Sequence, residues 1–243
     1  MAQRRLIYFL AHIITVVVGA FVTLASSWME AEWQKATLFA LGTSIAAAGL
    51  CGMVVWVYIA SSEQSLALLK VLDAAGLEWL YPSRAAQIRG EYAARLKTAG
   101  NQIDILGFGL KDFKRDYMNE LGSLSKRARV RILVLDPSSP HAGQRDIEEG
   151  QGVGVIKAEI DEFVRGFRAL YGDGEREQLE LRTYRSLPEV NIFRIDDEIF
   201  WGPYLVGKAS GNTLTMRVRR GGFVFESLEA HFERIWTDFS EAV

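Results

Sequence analysis

With 243 residues, a formal charge of −2 and a single cysteine, the chain is neither a strongly basic nucleic-acid binder nor a disulfide-stapled scaffold. That length would suit one or two soluble domains, but the strongest hydrophobicity is concentrated in the first sixty positions. A uniformly globular protein is therefore excluded as well.

The stretches 6–28 (LIYFLAHIITVVVGAFVTLASSW) and 36–60 (ATLFALGTSIAAAGLCGMVVWVYIA) contain no formal charge. A helix rises 1.5 Å per residue, so roughly twenty residues cross a hydrocarbon core of about 30 Å. Each run is long enough, and residues 1–60 are expected to form a two-helix transmembrane hairpin. The first run could also be the core of a secretory signal, because Arg4 and Arg5 precede it; its length and the second span close behind argue against that. Basic residues favour the cytoplasmic side. Arg4 and Arg5 precede the first run, whereas the connection holds Glu30, Glu32 and only Lys35. The expectation is a multi-pass protein of the inner (plasma) membrane with both termini cytoplasmic. Trp28, Trp33, Trp56 and Tyr58 sit where interfacial anchors belong, and Cys51 lies inside the second span. The small residues Gly42, Ala46, Gly49 and Gly52 allow close packing, within the hairpin or between subunits, and Gly19 could face them.

Residues 61–83 carry leucines at helical spacing, broken by Gly76, and read as a juxtamembrane helical stalk that ends in the turn Tyr81-Pro82-Ser83. From residue 84 to 243 the pattern is that of one cytoplasmic α/β domain with a mixed sheet. A helix over 84–99 precedes a short apolar strand, 103–107, which ends at Gly107 and Gly109. A helix over 113–127 and the continuous apolar strand VRILVLDP complete a βαβ unit. Residues 136–154 lack apolar periodicity, and so long a loop beginning at the carboxyl end of a buried strand is a candidate ligand site. A helix over 156–171 follows. After it come the strands LELRTY, VNIFRI, EIFWGPYLV and TLTMRVR, with GFVFE as a further candidate, before an amphipathic closing helix, SLEAHFERIWTDF.

IDILGFGL, LGSLSKRARVRILVLDP, LELRTYRSLPEVNIFRIDDEIFWGPYLVG and the terminal HFERIW helix, taken in order, resemble one repeat of the phospholipase D-like fold over roughly residues 84–243. The resemblance implies an α/β sandwich, and it is nearest to catalytically degenerate members carried on bacterial membrane anchors. Active members carry HxKxxxxD, in which histidine attacks phosphorus and lysine holds the phosphate. Here Asn191 stands at the histidine position, Phe193 at the lysine and Glu198 at the acid. An amide cannot form a phospho-enzyme intermediate. The family's GSxN-like segment is echoed only loosely by GKASGN, with Lys208, Ser210 and Asn212.

No catalytic residue is assigned on this basis; His141, in the long loop with Ser138 and Ser139, is a weak candidate, and mobile polar loop is its plainer reading. Arg217 and Arg219 lie two apart on one strand face, and Arg194, Lys208 and Asn212 come from nearby segments, so these with Asn191, and with Ser138, Ser139 and His141 of the loop, are the candidate ligand contacts. They would suit a nucleotide or another phosphate-bearing ligand. Asp196, Asp197 and Glu198 read as a solvated turn, no zinc-ligand spacing occurs, and no metal or cofactor is expected. Extended nucleic acid is disfavoured, because the domain is not strongly basic and has no clear stacking motif. The resemblance implies a homo-oligomer, since active single-repeat members pair two subunits. The expected function is a membrane-anchored sensor or effector that binds a phosphate-bearing molecule or a protein partner and signals to the hairpin. The alternatives are a membrane-bound phosphodiesterase or nuclease with a site built across a homodimer, and a tethered protein scaffold.

Overall fold

The computed structural model describes residues 2–172, 178–187 and 189–243, and describes no side chains at residues 2–6, 63–64 and 85–87. The chain divides into two compact units, Met1–Lys70 and Val71–Val243.

In the first unit, helix α1 (Ala2–Ala25) is followed by a short 3-10 turn, Ser26–Trp28, and by helix α2 (Glu32–Ala75). The span Ile7–Trp28 and α2 are both long and apolar enough to cross a membrane. Little of either is covered by protein: Ile14, Val17, Phe21, Leu50 and Val54 are all exposed. The small residues face one another across the hairpin. A side-chain carbon added at Gly19 would overlap the backbone of Ala46, and one at Gly42 would overlap Thr23. Gly49 likewise abuts Val16, and Gly52 abuts the His12 ring. Close backbone approach of this kind is how helices gain contact in lipid, where apolar burial supplies no drive. The side chains of Arg4 and Arg5, on which the expected orientation rests, lie outside the described residues.

The stalk reading holds only in part. Helix α2 continues without a break to Ala75, but Leu77–Tyr81 is strand β1, paired antiparallel with a later strand. Gly76 turns the chain at φ +72, where a side chain would be strained, and packs backbone to backbone on Gly222. The α/β unit therefore begins at Val71, ahead of the expected residue 84.

The second unit is a mixed α/β structure. Helix α3 (Arg84–Thr98) leads to β2 (Gln102–Gly107), α4 (Lys111–Tyr117), α5 (Leu121–Leu124) and β3 (Arg129–Leu135). Next come α6 (Pro140–Glu148), α7 (Val155–Tyr171), β4 (Leu179–Tyr184), β5 (Val190–Ile195), β6 (Glu198–Pro203), β7 (Thr215–Arg219), α8 (Phe223–Asp238) and β8 (Ser240–Ala242). The eight strands form one sheet in the order β1-β7-β6-β5-β2-β3-β4-β8. β2, β3 and β4 are parallel to one another, so the expected βαβ unit is present, and every other pairing is antiparallel.

Four expectations change. The 113–127 helix is broken by a 3-10 turn, Met118–Glu120. The loop 136–154 contains α6, which starts as a proline at the first helical position should, with the Ser139 hydroxyl accepting from the His141 amide. GFVFE is not a strand; residues 223–226 form the first turn of α8. Strand β8 is new, and closes the edge beyond β4.

Side chains alternate across the sheet, so each strand sends one set to each face. Phe193 and Phe200 meet Tyr92 of α3, and Phe193 meets Phe113 of α4. The opposite phase meets α8, and four adjacent strands place charge there in one row: Arg194, Asp104, Arg131 and Glu180 stand directly opposite one another on β5, β2, β3 and β4. All four are buried. Arg131 donates to Asp104 at 2.7 Å and to Glu233 of α8 at 2.9 Å, while Arg194 donates to Glu229 of α8 at 2.7 Å. The Arg131 guanidinium also lies 4.8 Å from the centre of the Phe232 ring and 5.2 Å from that of Trp236. Burial alone would oppose its charge, but the bonds it donates to Glu233 and Asp104 outweigh burial and hold it protonated. In return the Glu233 carboxyl is held below the ordinary carboxylate range by Arg131.

Removing one member of a buried ion network leaves an uncompensated charge, which costs about 3–5 kcal/mol, whereas replacing the set by apolar groups can be neutral. Asp104→Leu should destabilise the α/β unit by about that amount in urea unfolding of the nanodisc-embedded chain, and adding Arg131→Met should recover much of it. A loss below about 1 kcal/mol for the single change, within the range of an exposed pair, would show the row to be a surface ornament.

Candidate functional site

A cavity of about 450 Å³ opens on the α3 face of the sheet at the carboxyl end of β2. Its floor comes from β2 and β5, with Ile105 opposite Phe193 and Asn191 two residues along the same face. Its walls come from the start of α3, the β2–α4 turn, α4, the α6–α7 connection and the segment after β6. That turn exists because two glycines permit it: a side chain on Gly107 would strike Leu110, and one on Gly109 would strike Glu159. Leu110 itself adopts φ +50.

The walls are aromatic and the rim is ionic. Phe108 and Tyr204 meet edge to face at 4.4 Å between centroids, as do Tyr92 and Phe193 at 4.3 Å. At the rim Lys111 donates to Glu159 at 2.8 Å, Arg115 pairs with Asp112 and Asp116, and Arg89 pairs with Asp116. Glu149, deeper in, accepts from Arg145 at 2.8 Å and from the Ser210 hydroxyl at 3.0 Å, with Gln151 donating to its second oxygen. Arg145, 1% exposed, also donates to the carbonyl oxygens of Leu205 and Lys208 and so ties down the segment that carries Ser210.

Arg84 is the exception. Its half-buried side chain lines the cavity and, among the described residues, makes no hydrogen bond or ion pair. It acts electrostatically on Tyr92 and Tyr204, lowering both phenols, but burial dominates: the Tyr92 hydroxyl is raised and that of Tyr204 is pushed up to about 12. Both phenols stay protonated donors at neutral pH. The Tyr92 hydroxyl has no hydrogen-bond partner among the described residues. Asn191 donates its amide to the Gly202 carbonyl at 2.8 Å, and its Oδ1 takes no bond from the described residues. The arrangement offers one unpaired guanidinium and phenol hydroxyls within aromatic walls, a donor set for an anionic group on an apolar body, with the Asn191 Oδ1 as an acceptor beside them.

Of the residues singled out in the sequence, Asn191 lines this cavity, as does Phe193 beside it. Ser210 lines it too, but Lys208 and Asn212 on either side are exposed and do not. The rest stand elsewhere. Arg194 belongs to the charged row under α8. Arg217 pairs with Glu78 and Glu91, and Arg219 with Asp73. Glu198 accepts from Arg95 at the other end of the sheet. Ser138 bonds to Asp136, Ser139 caps α6, and His141 sits in its first turn, away from the cavity lining. Asp196 accepts from the amides of Gly100, Asn101 and Gln102, buttressing the start of β2, and no acidic, histidine or cysteine cluster suited to a metal occurs among the described residues. Arg84, Tyr92 and Tyr204 escaped the sequence reading, since they come from three separate segments and no spacing joins them.

No protein-family model matches the sequence, and neither does any curated protein. Among solved structures, TrmBL2, an archaeal chromatin protein, is 14% identical with a TM-score of 0.42, over 84% of this chain and 70% of that one. Phosphatidylserine synthase from Haemophilus influenzae Rd KW20 is 12% identical with a TM-score of 0.45, over 83% of this chain. The match spans 47% of the synthase, just under half its length.

If Arg145 holds the cavity wall, Arg145→Met should free the segment that follows β6. Hydrogen exchange at residues 204–211 should rise at least tenfold while the central strands stay protected. Unchanged exchange there would assign the wall to other contacts.

Proposed function

We propose that the chain is a membrane-anchored sensor or effector whose α/β unit binds a phosphate-bearing small molecule in the β2 cavity and signals to the N-terminal hairpin. The observation that carries this reading is Arg84, a half-buried cation without an acid partner among the described residues, beside two protonated phenols. A bound anion would neutralise it, and hydrogen bonds to charged groups are the strong ones. The same cavity holds Asn191 and Phe193, where the phospholipase D-like resemblance places the nucleophile and the phosphate-holding lysine. An amide can orient a phosphate but cannot take it up covalently, so the reading is binding without hydrolysis.

In this proposal the hairpin lies in the inner membrane with both chain ends in the cytoplasm. Signalling has a short covalent route: α2 ends at Ala75, β1 follows Gly76, and Arg84 opens α3 directly after the Pro82-Ser83 turn. A ligand drawn to Arg84 thus acts one strand away from the end of α2, provided it favours one arrangement over another. A homo-oligomer belongs to the same proposal. Because the small residues of the hairpin are used within the chain, its subunit contacts would fall on the exposed apolar residues of α1 and α2.

The test is thermal unfolding of the full chain in nanodiscs against a panel of nucleotides and sugar phosphates at saturating concentration, with phosphodiester cleavage assayed in parallel. A ligand should raise the midpoint, without turnover. Arg84→Gln should weaken that ligand about 10–100-fold, the loss of a charged hydrogen bond of about 1.5–3 kcal/mol, with the circular dichroism unchanged. Failure of every phosphate compound to shift the midpoint, or an undiminished shift in Arg84→Gln, would overturn the assignment.

A further inference from the structure

The charge count around the cavity goes further than phosphate binding in general. Three of the four basic side chains that line it are committed: Lys111 to Glu159, Arg115 to Asp112 and Asp116, and Arg89 to Asp116. Glu149 is neutralised from behind by Arg145. Among the described residues that line the cavity, only the Arg84 cation is left without a counter-charge. A chain of two or three phosphates would have to set its outer groups against Asp112, Asp116 or Glu159, or break their ion pairs. Like charges confined to one cavity repel. The shape adds a second restriction. Phe193 meets both Tyr92 and Phe113 at close to right angles, 79° and 81°, and all three line the cavity, so an aromatic wall is available to a further flat ring. At about 450 Å³ the cavity lies toward the small end of ligand pockets, which run from about 300 to 1,000 Å³.

We infer that this cavity selects a ligand with a single phosphate group on a planar aromatic body, as in an aryl phosphate or a nucleoside monophosphate, and rejects polyphosphates and flexible alkyl phosphates. The inference rests on the phosphate-binding role proposed above and specifies its ligand class. Arg84 and Tyr92 hold the phosphate; the rings of Phe113 and Phe193 take the flat body.

Calorimetric titration of the full chain in phosphatidylcholine nanodiscs, with chelator present, would compare phenyl phosphate, n-hexyl phosphate, inorganic phosphate, a nucleoside monophosphate and the matching triphosphate. The monophosphate should bind at least tenfold more tightly than the triphosphate, and phenyl phosphate at least tenfold more tightly than hexyl or inorganic phosphate. In Asp112→Asn/Asp116→Asn the gap between mono- and triphosphate should narrow severalfold. A triphosphate that binds as well as the monophosphate, or a hexyl chain that binds as well as a phenyl ring, overturns the inference while leaving the phosphate-binding role standing. No binding by any of the five compounds overturns both.

Discussion

The α/β unit is organised around one row of alternating charge, Arg194, Asp104, Arg131 and Glu180, sealed between the central strands and α8. A charge inside a sheet is tolerated only where its partners are fixed, so the row ties down more than its own energy suggests. Slipping any of the four strands by one residue would send its charge to the other face, among Phe193, Phe200 and Tyr92. Glu229 and Glu233 tie α8 to the same row. With one face of the sheet closed in this way, the opposite face is left to α3, α4 and α7, and it is there that the cavity forms.

Cavity and row are two consequences of one alternation. On β5, Asn191 and Phe193 take the phase that Arg194 does not, and so stand on the cavity floor while Arg194 faces α8. The β2–α4 turn reaches over that floor because Gly107 and Gly109 carry no side chains, and Arg145 draws the segment after β6 into place as a wall. What results is a pocket whose rim charges are paired, while among the described residues the Arg84 cation, the Tyr92 hydroxyl and the Asn191 Oδ1 make no bond. Unmatched groups collected in a concave site are the usual signature of a place meant for a ligand.

Much of this architecture is legible in the sequence. Two uncharged runs foretell the helices of the hairpin, the continuous runs of β2 and β3 foretell parallel strands, and the sequences of β4 to β7 foretell four more, leaving the two edge strands β1 and β8 unforeseen. The misses have local causes. LEWLY continues a leucine spacing that looks helical, and only the left-handed Gly76 with pairing to β7 makes it a strand. The Ser139-Pro140 pair carries a helix-start signal, masked by the polar sequence around it. GFVFE has strand composition, but tertiary packing makes it the first turn of a helix. The charged row left a trace too, one charge in the same phase of IDIL, VRIL and IFRI, whose meaning appears only when the strands are aligned. Candidate sites were harder to foresee. Isolated arginines such as Arg217 and Arg219 look available until their acids are found, and a missing partner at Arg84 is a property of space that no spacing along the chain encodes.

The central claim is that the uncompensated Arg84 is where an anion belongs. The most direct measurement is a structure of the full chain in nanodiscs with a saturating aryl phosphate or nucleoside monophosphate. Density for the phosphate should lie against the Arg84 guanidinium beside Tyr92 and Tyr204, with the ring over Phe193. A ligand seated instead on Arg217 and Arg219, or at the His141 turn, would contradict the account.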